Sequence, residues 1–176
     1  MITGVLALQG GYQAHLRANP GAIEIRGPGE LETVDALILP GGESTTQHKL
    51  IELGGLRDPL ERFVRSGKPV LATCAGLILA AKYGWLDVDV TRNAYGRQVD
   101  SFEALDDSGT RRLVFIRAPR IDRVGPGVEV LATLKGEPVL VRQGNVTGAC
   151  FHPELCPPVT ARSSPSSCSP AAESRT

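Results

Sequence analysis

The first half of the chain alternates between short apolar runs and longer segments in which apolar residues recur every three or four positions. Short apolar runs with branched residues are typical of buried strands, and the longer spacing is typical of helices. The predicted strands are Thr3 to Leu8, Ile23 to Ile25, Val34 to Leu39 and Val70 to Thr73. The predicted helices are Tyr12 to about Ala18, Ser44 or Thr45 towards Leu53, Leu56 to Ser66 and Leu77 to Ala81.

This alternation predicts the fold class. Strands that alternate with helices pair in parallel and are joined by right-handed crossovers. We therefore expect an α/β fold, a three-layer sandwich with a mixed, mainly parallel sheet. The stretch Gly27-Pro28-Gly29 is expected only to break the chain between two strands.

The second half contains strand-like runs that are separated by turns rather than by helices. They are Val88 to Thr91, Val114 to Arg117, Val128 to Leu131 and Val139 to Arg142. We expect these strands to be antiparallel additions at one side of the sheet. A further core strand, Asn145 to Phe151, is followed by Pro153, which cannot donate to a central ladder.

The end of the chain has a different composition. Residues 156–176 are dominated by Ser, Pro and Ala and have no periodic apolar face. Such a segment cannot bury enough apolar surface to fold by itself. We therefore expect one folded domain over residues 1–155 and a disordered tail over residues 156–176.

Composition limits the partners and the compartment. The chain has 176 residues with 19 Lys plus Arg and 19 Asp plus Glu, a balance that argues against nucleic acid or an anionic membrane as a partner. The N-terminus lacks a basic leader, and no apolar run approaches membrane-spanning length. We expect a cytosolic protein whose four irregularly spaced cysteines are free thiols.

Cys74 is the leading candidate for chemistry. It lies where the strand Val70 to Thr73 meets a helix start, between small residues that permit a sharp turn. At such a junction the unpaired N–H groups and the helix dipole favour the thiolate. The alternative is a small structural cysteine in the core, because free cysteine is among the most buried residue types.

His152 and Glu154 can serve such a thiol as base and orienting carboxylate. In a strand-like register, residues two apart lie on the same side of the chain. Ligands of parallel sheets bind at the carboxyl ends of the strands, so Gln9, the turn at Gly41-Gly42 and Cys74 are expected to be neighbours. The N–H of Ala75 and a glycine N–H from that turn suit an oxyanion hole.

Structural alternatives apply to the other polar candidates. His15 and His48 lie in helical stretches among polar residues and are predicted to be surface side chains, and His152 beside a proline is alternatively a turn histidine. Glu43 is alternatively a helix-capping carboxylate. Arg92, Arg97, Arg117 and Arg120 are either solvated charges or clamps for a substrate carboxylate.

Three residues near the end of the predicted domain are the candidates for a metal site. Cys150, His152 and Cys156 are potential ligands, but their spacing lacks a second CxxC-like pair, and prolines interrupt the segment. We expect no metal and no cofactor.

Six stretches closely resemble the family of glutaminase subunits of pyridoxal 5′-phosphate synthase. They are GVLALQG (4–10), LPGGESTT (39–46), TCAGL (73–77), RNAYGRQ (92–98), FIRAP (115–119) and FHPEL (151–155). A cysteine turn with a later HPE is shared by triad-type glutamine amidotransferases generally, whereas PGGEST, RNAYGRQ and FIRAP narrow the resemblance to this family. The similarity covers nearly everything from residue 2 to residue 155.

The resemblance implies a class I glutamine amidotransferase fold for residues 1–155 and hydrolysis of L-glutamine to glutamate and ammonia. Cys74 would be the nucleophile, His152 the acid and base, and Glu154 its orienter. The positions that match the family's glutamine-binding and oxyanion residues are Gly41, Gly42, Glu43, Ser44, Ala75, Arg92, Ile116 and Arg117. The ammonia would pass to a synthase subunit with a (β/α)₈ barrel, and docking on that subunit generally activates the family's glutaminases.

Two departures from the family leave alternatives open. The connection between Ala81 and Val88 is shorter than usual, and the Ser/Pro-rich tail replaces a C-terminal amphipathic helix. If that helix is absent, part of the core beside His152 is uncovered. The alternatives are therefore an impaired or non-catalytic regulatory subunit, or the glutaminase of another pathway.

Overall fold

The computed structural model describes residues 1–94 and 101–156. The strands are β1 Thr3–Leu6, β2 Ile23–Ile25, β3 Ala36–Leu39, β4 Val70–Thr73, β5 Val88–Thr91, β6 Ser101–Leu105, β7 Arg112–Ile116, β8 Arg120–Val124, β9 Glu129–Leu134, β10 Glu137–Gln143 and β11 Val146–Ala149. The helices are α1 Tyr12–Ala18, α2 Pro28–Leu31, α3 Ser44–Leu53, α4 Arg57–Arg65 and α5 Ala75–Lys82, and Pro153–Leu155 forms a 3₁₀ turn.

The main sheet has seven strands in the order β2-β1-β3-β4-β11-β10-β9. The pairings from β2 through β11 are parallel, and β10 and β9 are antiparallel additions at one side. This arrangement confirms the predicted mixed, mainly parallel sheet. Because the parallel strands end at the same edge, the loops after β1, β3 and β4 meet there.

Helices cover both faces of this sheet. A Cβ atom on Gly148 of β11 would lie 2.7 Å from the Leu77 side chain, so α5 packs tightly on that face. Thr147 and Ala149, which point to the opposite face by strand alternation, line a groove with Leu71 of β4, and His15 of α1 contacts Thr73 on the same face. The two faces give the three-layer architecture.

The structure corrects the prediction for the second half of the chain. Of the four predicted additions, only those that correspond to β9 and β10 join the main sheet of the described residues, whereas β5 pairs with β8 and β7 pairs with β6 in two separate two-stranded sheets. The strands β6 and β8 were not predicted. Their residues are mostly half-buried or exposed, and β8 carries three charged side chains, so neither has the apolar run that marks a buried strand.

Two local predictions near glycines were also incomplete. Gly27-Pro28-Gly29 does more than break the chain, since Pro28 opens the short helix α2, a first-turn position that suits its fixed φ. Helix α5 begins at Ala75 rather than after Gly76. Gly76 therefore lies in the helix, where an added Cβ atom would collide with the backbone of Leu39.

The core lies between the main sheet and its helices. Leu60 and Phe63 bury one face of α4, and Leu77 and Leu79 do the same for α5. Within the described ranges, no helix is both long and apolar enough to cross a membrane. The tail beyond residue 156 lies outside the described residues, as do residues 95–100, which include Arg97.

Candidate active site

Cys74 occupies a sharp corner between β4 and α5. Its backbone has φ 48° and ψ −105°, a conformation that costs a non-glycine residue free energy and persists only when its surroundings enforce it. Its N–H donates to the carbonyl of Ala149 at 2.8 Å, which ties the corner to β11. The side chain is 6% exposed, and its Sγ lies 3.9 Å from the carbonyl oxygen of Ile116.

His152 reaches Cys74 because β11 lies directly beside β4. The two strands pair in parallel with Ala149 opposite Thr73, so the chain leaving β11 arrives next to the corner. The N–H of His152 donates to the carbonyl of Val114 at 2.8 Å. A Cβ atom placed on Gly41 would lie 2.6 Å from His152 Cε1 and 3.3 Å from Cys74 Cβ, which places Gly41 against both side chains.

Glu154 contacts the other side of the same imidazole. Its Oε1 lies 2.8 Å from Nδ1 of His152, and its side chain is 2% exposed. The expected pairing is present, but the strand-like register predicted for it is wrong. Pro153–Leu155 is a 3₁₀ turn, which brings the carboxylate back beneath the ring.

The surroundings of His152 change its titration. Burial lowers the pKa of His152, but hydrogen bonds to the Cys74 thiol and the Glu154 carboxylate, with the charges of both groups, outweigh burial and raise this pKa to about 10. Negative partners on both sides favour the imidazolium. The arrangement therefore favours a proton on His152.

Cys74 and His152 open into one cavity of about 430 Å³. It is lined by Gln9, Gly11, Gly41, Gly42, Glu43, Ser44, Cys74, Ala75, Ile78, Arg92, Asn93, Ile116, Arg117 and His152. Every residue predicted for the site is on this wall except Glu154, which lies behind His152. Gly11, Ile78 and Asn93 were not predicted, and only their closeness in sequence to predicted residues would have indicated them.

The loop at Gly41 and Gly42 is held by backbone contacts. The N–H of Gly11 donates to the Gly41 carbonyl at 2.9 Å. Gly42 has φ +153°, a value that favours glycine, and a Cβ there would lie 2.6 Å from Oε1 of Gln9. The expected proximity of Gln9, the glycine turn and Cys74 is thus present.

Glu43 caps helix α3. Its carboxylate accepts hydrogen bonds from the N–H groups of Thr45 and Thr46 at 3.1 and 2.7 Å and from the Thr46 hydroxyl at 2.7 Å. These bonds, the Thr46 side chain first, lower the pKa of Glu43 to about 2. The capping alternative is therefore its observed structural role, although Glu43 also faces the cavity.

Two arginines approach the cavity from outside the main sheet. Arg92 follows β5, and its Nη1 donates to the Thr45 hydroxyl at 3.0 Å. Arg117 follows β7 with φ 44°. Both residues line the cavity that contains Cys74, and an arginine side chain is suited to a carboxylate.

The two remaining histidines have different environments. His48 is partly exposed, and its Nδ1 lies 2.8 Å from the Tyr83 hydroxyl. His15 is only 1% exposed, so its assignment to the surface was wrong. His15 is buried because Thr73 of β4 and Glu154 of the 3₁₀ turn lie against it.

The cysteines behind the site are structural. Cys150 is fully buried, and burial raises the pKa of its thiol to about 12. Cys156 is half-buried, and its Sγ lies 3.4 Å from the carbonyl oxygen of His152. An open groove of about 410 Å³ lies on this side of the sheet, lined in part by Leu71, Phe151 and Cys156.

Comparison with known proteins points to one family. Residues 5–160 match the model of the SNO glutamine amidotransferase family. A protein of Corynebacterium jeikeium named pyridoxal 5′-phosphate synthase subunit PdxT is 49% identical over 175 residues, covering 88% of this chain and 90% of the relative. A protein of the same name from Shouchella clausii is 51% identical and covers 88% of each chain.

Solved structures agree with this comparison. A crystal structure of a glutamine amidotransferase superposes with a TM-score of 0.82 at 46% identity, covering 88% of this chain and 92% of that one. The structure of PurLQS from Thermotoga maritima superposes with a TM-score of 0.65 at 17% identity. The second likeness concerns the fold alone.

Proposed function

The chain belongs to the SNO glutamine amidotransferase family, and on that basis we propose that it is the glutaminase subunit of a pyridoxal 5′-phosphate synthase. It hydrolyses L-glutamine to L-glutamate and ammonia, and the ammonia passes to a synthase subunit that builds the cofactor. The observation that carries the proposal is the single cavity in which Cys74, His152 and the glycine loop converge, with Glu154 directly behind His152. Half-identical relatives that carry the PdxT name support the pathway.

Cys74 is the proposed nucleophile. Its sulfur attacks the side-chain amide carbon of glutamine, and the carbonyl electrons move to oxygen to give a tetrahedral intermediate. His152 holds a proton beside the sulfur and delivers it to the departing nitrogen, which leaves as ammonia. A γ-glutamyl thioester remains on Cys74. Water, deprotonated by His152, then attacks the thioester and releases glutamate and the thiolate.

The developing oxyanion requires donors at the mouth of the corner. The N–H of Ala75 lies in the first turn of α5, where it has no partner inside the helix. The N–H of Gly42 is the second proposed donor, from the loop that faces Cys74. A well-placed donor of this kind contributes about 3–4 kcal/mol of transition-state stabilisation.

The rest of the wall suits an amino acid. Arg92 and Arg117 carry the positive charge for the α-carboxylate of glutamine. Glu43 and Ser44 lie at the start of helix α3, and Ile116 presents its carbonyl near the thiol. These five positions with Gly41, Gly42 and Ala75 form the proposed substrate site, and neither a metal nor a cofactor takes part in the proposed reaction.

The synthase subunit is the proposed protein partner, and a (β/α)₈ barrel is its expected fold. We also propose a cytosolic location, a folded domain over residues 1–155 and no membrane or nucleic-acid partner. Residues 157–176 of the tail lie outside the described residues, so the predicted disorder of the tail stays a prediction.

Glutamate release tests the proposal. Release from glutamine should depend on the synthase subunit and should disappear in Cys74→Ala, while the matched thiol variant Cys168→Ala retains it. The proposed function is overturned if the synthase subunit does not stimulate glutamate release by the wild type, or if Cys74→Ala still releases glutamate. Circular dichroism of Cys74→Ala checks that the fold is intact.

A further inference from the structure

A buried histidine outside the Cys74 cavity faces the carboxylate that orients His152. The Nε2 atom of His15, on α1, lies 3.3 Å from Oε2 of Glu154 and 3.1 Å from the hydroxyl oxygen of Thr73. The His15 and Glu154 side chains are 1% and 2% exposed. His15 therefore links the residue immediately before the nucleophile to the carboxylate behind the base.

Glu154 needs a second partner. Its Oε1 faces His152, whereas its buried Oε2 makes no hydrogen bond of acceptable geometry within residues 1–94 and 101–156. A buried carboxylate oxygen is costly to leave without a compensating group. The His15 nitrogen at 3.3 Å is the polar atom placed to supply that compensation.

The electrostatics select one tautomer of His15. An ionised carboxylate only accepts hydrogen bonds, so a bare Nε2 lone pair beside Oε2 would be repelled. With the proton on Nε2, the N–H lies between two acceptors, the Thr73 hydroxyl and Oε2 of Glu154. A small rotation of the ring points this N–H at one acceptor or the other, and the proton stays on Nε2.

His15 acts as a neutral dipole. Burial lowers the pKa of His15, the charge of Glu154 partly opposes this, and the nearby His152 lowers it further. The titratable groups that face His15 are thus Glu154 and His152 of the 3₁₀ segment, while β4 contributes the uncharged Thr73. A neutral donor stabilises the carboxylate without competing with His152 for its negative charge.

We propose that His15 is a positioning residue that holds Glu154 in the orientation in which Oε1 faces His152. This inference rests on the proposed glutaminase function. It adds His15 to the proposed set of Cys74, His152 and Glu154. His15 acts through Glu154 and has no role in binding glutamine, since it lines a separate groove with Asn19, Leu71 and Leu155 in the described part of the chain.

Matched substitutions separate positioning from packing. His15→Gln keeps a donor at the place of Nε2, whereas His15→Leu keeps apolar bulk and removes the donor. With the synthase subunit present, His15→Leu should lower kcat about 10- to 100-fold, the range for a lost hydrogen bond to a charged group, and leave KM within about twofold. His15→Gln should recover most of kcat. If His15→Leu does not fold, His15→Asn carries the same test, because its amide is too short to reach Oε2.

Alkylation of Cys74 gives a readout that does not depend on glutaminase activity. Iodoacetamide reaction is followed across pH by mass spectrometry of the Cys74 peptide. In His15→Leu, the pH at which the His152 imidazolium loses its proton should be lower than in the wild type. His15→Gln should restore the wild-type value of this pH. In a Glu154→Gln background, His15→Leu should cause no further shift.

Three outcomes overturn the inference. They are an unchanged kcat and alkylation profile in His15→Leu with only a lower melting temperature, equal losses in His15→Leu and His15→Gln, and an additive shift in the Glu154→Gln background. Failure of the proposed function has a different signature, since the wild type itself would then release no glutamate.

Discussion

A Cβ atom on Gly76 would lie 2.2 Å from the carbonyl oxygen of Leu39. The first turn of α5 therefore packs against the end of β3 without room for any side chain. This contact sets the distance between the helix that follows Cys74 and the strand that leads into the glycine loop. The small residues around Cys74 permit a tight backbone turn and also close packing behind it.

Gly76→Ala should therefore destabilise the fold. Alanine is the better helix former by about 1 kcal/mol, but its methyl group would meet a backbone atom that cannot rotate away, and overpacking typically costs about 1–3 kcal/mol. We expect a net loss in the free energy of unfolding, measured with urea. The control is Gly29→Ala in α2, where nothing lies within 4 Å of the added Cβ; equal stability of the two variants would contradict the prediction.

Gly41→Ala should impair turnover more than stability. Its methyl group would lie between Cys74 and His152, 2.6 Å from His152 Cε1, so the imidazole must move. A displacement of about 1 Å in a catalytic group can cost about 100-fold in rate. Steady-state kinetics with the synthase subunit measure this loss. Gly11→Ala is the matched control, since its nearest atoms lie 3.9 Å away, and a similar loss in both variants would argue against the stated cause.

His152 should make stability depend on pH in the alkaline range. Its folded-state pKa of about 10 lies above the ordinary histidine value of 6.5, so the folded state holds the proton more tightly than the unfolded chain. The resulting stabilisation is complete below pH 6.5 and is lost as pH rises towards about 10. Urea unfolding of the wild type and His152→Gln should show a difference that shrinks across this window. A constant difference would refute the prediction, and His48→Gln serves as the control.

Glu43 should have the opposite dependence. Its folded-state pKa of about 2 lies below the ordinary glutamate value of 4.5, so the folded state favours the charged carboxylate. The stabilisation is present above pH 4.5 and is lost as pH falls towards about 2. Unfolding curves of the wild type and Glu43→Gln should converge as the pH falls through this range. Glu32→Gln, at an exposed position, should show no such convergence.

The parallel half of the fold could be predicted because each strand there is short, apolar and followed by a turn residue. The strands Ile23–Ile25 and Val70–Thr73 and the helix Tyr12–Ala18 have the predicted limits. In the hairpin β6–β7 and the β5–β8 pair, only β7 and β5 carry a strand signal in the sequence. Their pairing depends on contacts between half-exposed strands, which a pattern of burial does not specify.

The candidate site was predictable to a similar degree. Cys74, His152 and most residues of the cavity wall lie outside helices and strands, where polar residues without a structural reason are conspicuous. His15 gave no such signal, because its partners Thr73 and Glu154 are distant in sequence and its own helix looks exposed. Only the packing of α1 against β4 and the 3₁₀ turn reveals its burial.

The position of β11 has a consequence for biosynthesis. This strand lies between β4 and β10, so the main sheet is completed only when its last strand inserts into the middle. Such non-local pairing closes long loops and forms slowly. During synthesis on the ribosome, Cys74 is therefore made before the segment that carries His152, its proposed base. A nascent chain that has not yet received this strand cannot release ammonia.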